Sequence, residues 1–109
     1  MDNFTKLGNT SATNNERENN DVKQMDEFLN KASTITINST SMELCGLIAE
    51  IYSYLQQNGT SIFRGMLMEL YHLLSDCISC KYNLTNEGFI KLQKYVEEQR
   101  SFLEESHFI

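Results

Sequence analysis

The chain contains no proline and no tryptophan, only three cysteines, and no long apolar run. Without proline, no ring removes an amide donor or clashes with the preceding turn, so helices can run uninterrupted. An odd number of cysteines argues against a closed disulfide framework. Basic residues are outnumbered: nine Lys and Arg face fifteen Asp and Glu, for a formal charge of −6. That charge repels phosphate backbones and excludes a general nucleic-acid binder unless a local patch overrides it. No apolar stretch approaches the roughly 18 residues that would suggest a transmembrane helix. The opening residues are polar and lack an apolar h-region, so a cytoplasmic protein without a secretory signal is expected.

What remains is an ordinary globular mixture, 109 residues with 40% hydrophobic and 22% charged side chains. It suits one domain. Composition breaks near Asp21. Residues 1–20 hold six asparagines, with only Phe4 and Leu7 as sizeable apolar groups. Such a stretch buries too little surface to offset its ordering entropy, so residues 1–20 read as a disordered Asn-rich tail. Residues 21–109 read as the helical bundle.

From Asp21 onward the apolar residues fall at helical spacing. Val22, Met25, Phe28, Leu29 and Ala32 make one stripe of a short first helix. Thr34-Ile35-Thr36-Ile37 alternates like a strand but has no partner run, so a connector is the better reading. Thr40-Ser41-Met42-Glu43 has the form of a capping box opening a second helix. Its apolar face is Leu44, Leu47, Ile48, Ile51 and Leu55, bordered by Tyr52 and Tyr54. Asn58-Gly59 should end it through a left-handed conformation.

Thr60 or Ser61 is the expected cap of the third helix. Ile62, Phe63, Met66, Leu67, Leu70, Tyr71, Leu73, Leu74, Cys77 and Ile78 make that helix the most apolar, and therefore the central one. Lys81-Tyr82-Asn83 breaks it. A fourth helix is expected from Thr85, with Leu84 and Phe89 forming a hydrophobic staple around its start. Phe89, Leu92, Tyr95 or Val96, Phe102 and Leu103 continue its stripe. Short connections between such helices require antiparallel neighbours. The expected fold is all-α, a small antiparallel four-helix bundle.

Chemistry-bearing residues are sparse. Cys77-Ile78-Ser79-Cys80, with Cys45 and His72, is the one arrangement with metal or redox spacing. A structural zinc site needs four ligands, often as two such knuckles, and only one is present. Cys45 and Cys77 read instead as small core hydrophobes, with Cys80 near a helix end. His72 is expected at the edge of the buried face of the third helix, with Asp76 one turn on, a surface pair rather than a dyad. No nucleotide or calcium loop occurs, so no cofactor, no metal and no catalytic residue is assigned. Glu97, Glu98, Glu104 and Glu105 read as a solvated face. Phe108-Ile109 either folds back over the bundle or offers a partner an anchor.

The run from Leu44 to Leu55, the polar break after it, the apolar stretch Ile62–Ile78 and the turn Tyr82-Asn83-Leu84-Thr85 together resemble the bacteriocin immunity proteins of the enterocin A and pediocin type. The resemblance spans roughly residues 40–103 of the sequence. It implies a left-turning antiparallel four-helix bundle that is not an enzyme. Such proteins protect a producing cell from its own pore-forming peptide. They act at the inner membrane face on the complex of the peptide with its sugar-transporter receptor. Specificity in that family is attributed to the C-terminal half. The resemblance thus implies a protein or peptide partner for Lys91, Lys94, Glu98, Arg100, Phe108 and Ile109. The alternative reading is a structural subunit or adaptor of a larger assembly.

Overall fold

The computed structural model describes the backbone of residues 3–59 and 61–109, and side chains from residue 18 onward except residue 60. Its four helices are α1 (Asn3–Ser33), α2 (Ser41–Gln57), α3 (Arg64–Tyr82) and α4 (Glu87–Glu105), and no strand occurs among the described residues. Connections of a few residues turn the chain back each time, so neighbours run antiparallel. Each helix packs on the next, and α4 closes the ring against α1. The expected four-helix bundle is the fold.

α1 begins at Asn3 rather than near Asp21. The reading of residues 1–20 as a tail falls mostly outside the residues whose side chains are described. Glu18, Asn19 and Asn20 are exposed, and the first buried side chains are Asp21 and Val22. Among the described residues, burial begins at Asp21, next to the break in composition. Met25, Phe28, Leu29 and Ala32 carry the stripe inward as their spacing requires.

The connector after α1 contributes to the core. Ile35 is buried, and the Ser39 hydroxyl accepts the Thr36 amide at 2.9 Å. Gln93, on α4, donates Nε2 to the carbonyls of Ala32 and Ile35 at 3.0 and 2.9 Å. It thereby ties α4 to the end of α1 and to the connector that follows it.

α2 opens on the capping box. The Glu43 amide donates to Thr40 Oγ1 and the Thr40 amide donates to Glu43 Oε1, both at 3.0 Å. The Thr40 amide foremost, and the Thr40 hydroxyl after it, hold the Glu43 carboxyl below its usual range. The helix end departs from expectation. Asn58 has φ −130°, and no glycine adopts a positive φ among the described residues. Asn58 instead donates twice to the Tyr54 carbonyl, from its backbone at 2.8 Å and its side chain at 3.0 Å.

α3 and α4 also start later than the sequence signals place them. Thr60 lies outside the described residues. Ser61 accepts the Phe63 amide at 3.2 Å, and Phe63 itself is the N-cap without a side-chain bond. Leu67, Leu70, Leu74 and Cys77 form the buried line of α3, whereas Ile62 is more than half exposed. The staple at α4 is not formed. Leu84 is 89% exposed, while Phe89 is buried without it.

Leu84 instead closes α3. It has φ 58°, the Thr85 amide donates to the Cys80 carbonyl at 2.9 Å, and the Leu84 amide donates to Lys81 at 3.3 Å. That bond pair is a Schellman motif, normally completed by glycine at the left-handed position. α4 ends the same way. His107 has φ 62°, the Phe108 amide reaches Leu103 at 2.9 Å, and His107 reaches Glu104 at 3.0 Å.

α4 comes close against α3 at Gly88. A Cβ built there would lie 2.7 Å from Cys80 Sγ, so glycine lets the first turn of α4 seat against the last turn of α3.

Candidate functional site

The residues assigned to a partner surface do not converge. Lys91, Lys94 and Glu98 follow one another along the exposed side of α4. Arg100 does not join them. Its Nη2 donates to Asn30 Oδ1 on α1, and its Nε is buried without a partner among the described residues. The guanidinium ties α4 to α1 at the protein surface.

Phe108 folds back on the bundle. Once the Schellman turn reverses the chain, its ring is half-buried and meets Phe63 edge-on at 5.5 Å, with Phe102 at 6.5 Å on the other side. Ile109 alone of the terminal pair stays about half exposed. Of the two outcomes the sequence left open, Phe108 takes the fold-back. Removing Phe108 and Ile109 should therefore lower the melting temperature by several degrees. Losing a half-buried aromatic pair is worth about 1 kcal/mol, which in a domain this size moves Tm by about 4–8 °C. A melt unchanged within a degree would mean that the ring contributes nothing in solution.

The cysteines and histidines are dispersed. Cys77 is buried, as expected, but Cys45 is exposed, one position off the apolar line of α2. Burial pushes the Cys77 thiol up to about 12, with Cys80 and Asp76 adding to it, so this sulfur is held as an inert thiol. His72 is exposed beside Tyr71 rather than at a buried edge. No group of three potential metal ligands gathers among the described residues. Tyr54 and Tyr95 are also pushed up to about 12, chiefly by burial. Tyr54 donates to Asp21 Oδ1 at 2.7 Å and Tyr95 to the Met66 carbonyl at 3.1 Å, so both phenols serve as interhelical ties.

Two surface features stand out. Between α2 and α3 run adjoining clefts of about 220 and 360 Å³ that share Tyr52 and Tyr71. Their walls are largely apolar, including Leu55, Met68, Ile48 and Ile78, with Arg64 and His72 at one end. No carboxylate lines either cleft. The second feature is the end of the bundle formed by the α1–α2 connector, the first turn of α2 and the α3–α4 turn. Met42, Tyr82 and Leu84, exposed by 84%, 87% and 89%, all lie there. Folding leaves these side chains in water, and helical periodicity offered no means of placing Leu84 among them. No helix among the described residues is long and apolar enough to cross a membrane. Comparison with protein-family models, characterised proteins and solved structures finds no match for this chain.

Proposed function

We propose that this chain is a non-enzymatic interaction protein, a helical bundle that neutralises a pore-forming peptide or its receptor complex in the manner of a bacteriocin immunity protein. The observation that carries the interaction reading is the large apolar surface left uncovered: Met42, Tyr52, Ile62, Tyr82, Leu84 and Ile90 are each more than half exposed. Scattered apolar groups are ordinary on a protein surface, but several large ones sharing one cleft or one end mark a place for a partner.

The immunity reading rests on the resemblance of residues 40–103 together with the antiparallel four-helix architecture. With Arg100 tied to Asn30 and Phe108 half-buried against Phe63, the side chains freest to set its specificity are Lys91, Lys94, Glu98 and Ile109 on and after α4. Expression in a host sensitive to pediocin-like peptides tests it. Protection is expected from the full chain, and reduced protection from Lys91→Ala/Lys94→Ala with helicity unchanged. Sensitivity undiminished across a panel of such peptides would sink the immunity reading.

The clefts between α2 and α3 favour a second reading, a structural subunit or adaptor. There a helix of another chain would lie over Tyr52 and Tyr71. Light scattering on the protein alone separates the two, since an adaptor without its partner should self-associate through that face.

A further inference from the structure

We propose that the cleft between α2 and α3 bordered by Arg64 and His72 binds a small aromatic carboxylate, its ring laid on Tyr52 and Tyr71 and its carboxylate on the Arg64 guanidinium. Two adjoining clefts share those tyrosines, and the one of about 220 Å³ is the more enclosed. Its size suits a single ring with a short acidic side chain, and clefts between bundle helices are a usual place for small ligands.

The walls match an aromatic body. The ring centroids of Tyr52 and Tyr71 stand 6.3 Å apart with the planes tilted by 39°, and His72 meets Tyr71 edge-on at 5.7 Å. Leu55 and the Met68 thioether complete the apolar lining. A further ring would meet aromatic faces and edges and a sulfur, contacts that aromatic groups favour beyond the area they bury. Folding leaves this surface in water: Tyr52 is 54% exposed and Met68 38%.

The polar groups match an anion. Arg64, Gln56 and His72 line this cleft and no carboxylate does, although acidic residues outnumber basic ones in the chain by fifteen to nine. Arg64, Met68 and His72 follow one another at single-turn spacing, which puts both basic side chains on one face of α3. The acidic residues of α3 act elsewhere, Glu69 on the Tyr95 phenol of α4 and Asp76 on the buried Cys77 thiol. Asp76 lies one turn beyond His72 without pairing with it, and the one ion pair among the described residues joins Lys31 to Glu50. Arg64 Nη1 would lie 3.8 Å from a Cβ at Gly59, so the guanidinium sits beside the turn that follows α2. No carboxylate meets it there among the described residues, and its planar fork is suited to bidentate pairing with one.

A partner's helix laid over both clefts would also cover the tyrosines. The larger cleft, however, adds only Cys45 and Ser75 as polar groups, and the Ser75 hydroxyl already donates to the Tyr71 carbonyl at 3.0 Å. Charge and free donors gather at the smaller cleft, which favours a ligand of that size.

An amide-resolved NMR titration of the full chain with phenylpropionate tests this, with phenylpropanol and phenylpropylamine as matched neutral and cationic probes. Shifts are expected at Tyr52, Leu55, Arg64, Met68 and His72, with affinity falling from the acid to the alcohol to the amine. Arg64→Gln should weaken binding of the acid about tenfold, the worth of a charge-assisted hydrogen bond, and leave the alcohol unchanged. Arg64→Lys, which keeps the charge without the fork, should recover part of the loss. Tyr52→Ala should weaken the acid and the alcohol alike. No shifts with the acid, an amine bound as tightly as the acid, or an Arg64→Gln variant that binds the acid like the parent would each overturn the proposal. The first of these results would leave the face to a partner's helix.

Discussion

Leu70→Ala is expected to lower the unfolding free energy by about 2–5 kcal/mol, because the bundle can only partly collapse around the missing atoms. Leu70 is fully buried in α3, the helix that packs strongly on both α2 and α4. A cavity there touches two interfaces at once. Ile62→Ala is the matched comparison. The sequence put Ile62 on the same apolar stripe, yet it is 56% exposed, so its truncation should cost under about 1 kcal/mol. Urea denaturation of the two variants reads the difference directly. Similar losses at both positions would mean that α3 is rotated from the orientation described.

The contrast between Leu70 and Ile62 shows where sequence reading stopped. Periodicity located the α3 stripe, and Leu67, Leu70, Leu74 and Cys77 are its buried line. It could not say that the helix begins at Arg64, which places Ile62 in the preceding turn. The capping box at Thr40 and Glu43 was fully legible because both partners lie within one helical turn. Leu84 was misread for the opposite reason. The staple pattern was present in the letters, but the C-terminus of α3 claimed the residue first for its Schellman turn. Asn83, the residue whose type favours a left-handed conformation, sits one place too early.

The candidate site was less legible than the fold, since its determining contacts are distant in sequence. Nothing near Arg100 announces Asn30, and nothing near Phe108 announces Phe63. Cys45 carried a usable signal. It lies about 100° around α2 from Leu44, off the line of Leu47 and Ile51, and should have been placed outside. Gly88 carried one too, because a glycine inside a helix costs stability and usually has a packing reason, here Cys80. The end with Tyr82 and Leu84 had no such signal. Its exposure depends on how three separate segments meet.

Asp21→Ala and Tyr54→Phe are expected to cost far less together than the sum of their separate losses. Asp21 is 6% exposed. Its carboxylate accepts the Tyr54 hydroxyl at 2.7 Å and faces the Ile62 amide at 3.4 Å. One side chain on α1 thus fastens α2 and the turn before α3. Removing it leaves a half-buried phenol and an amide without their acceptor, a loss of about 2–4 kcal/mol by the cost of stranded buried partners. Tyr54→Phe strands the carboxylate instead, which is also costly because a buried charge loses its best donor. With both removed, the phenol and the carboxylate are gone together and only the Ile62 amide stays without its acceptor. The double variant should therefore fall short of the sum by about 1–2 kcal/mol, the range found for directly bonded neighbours. Chemical denaturation of the four proteins closes the cycle. If the two losses simply add, the bond is not formed in solution.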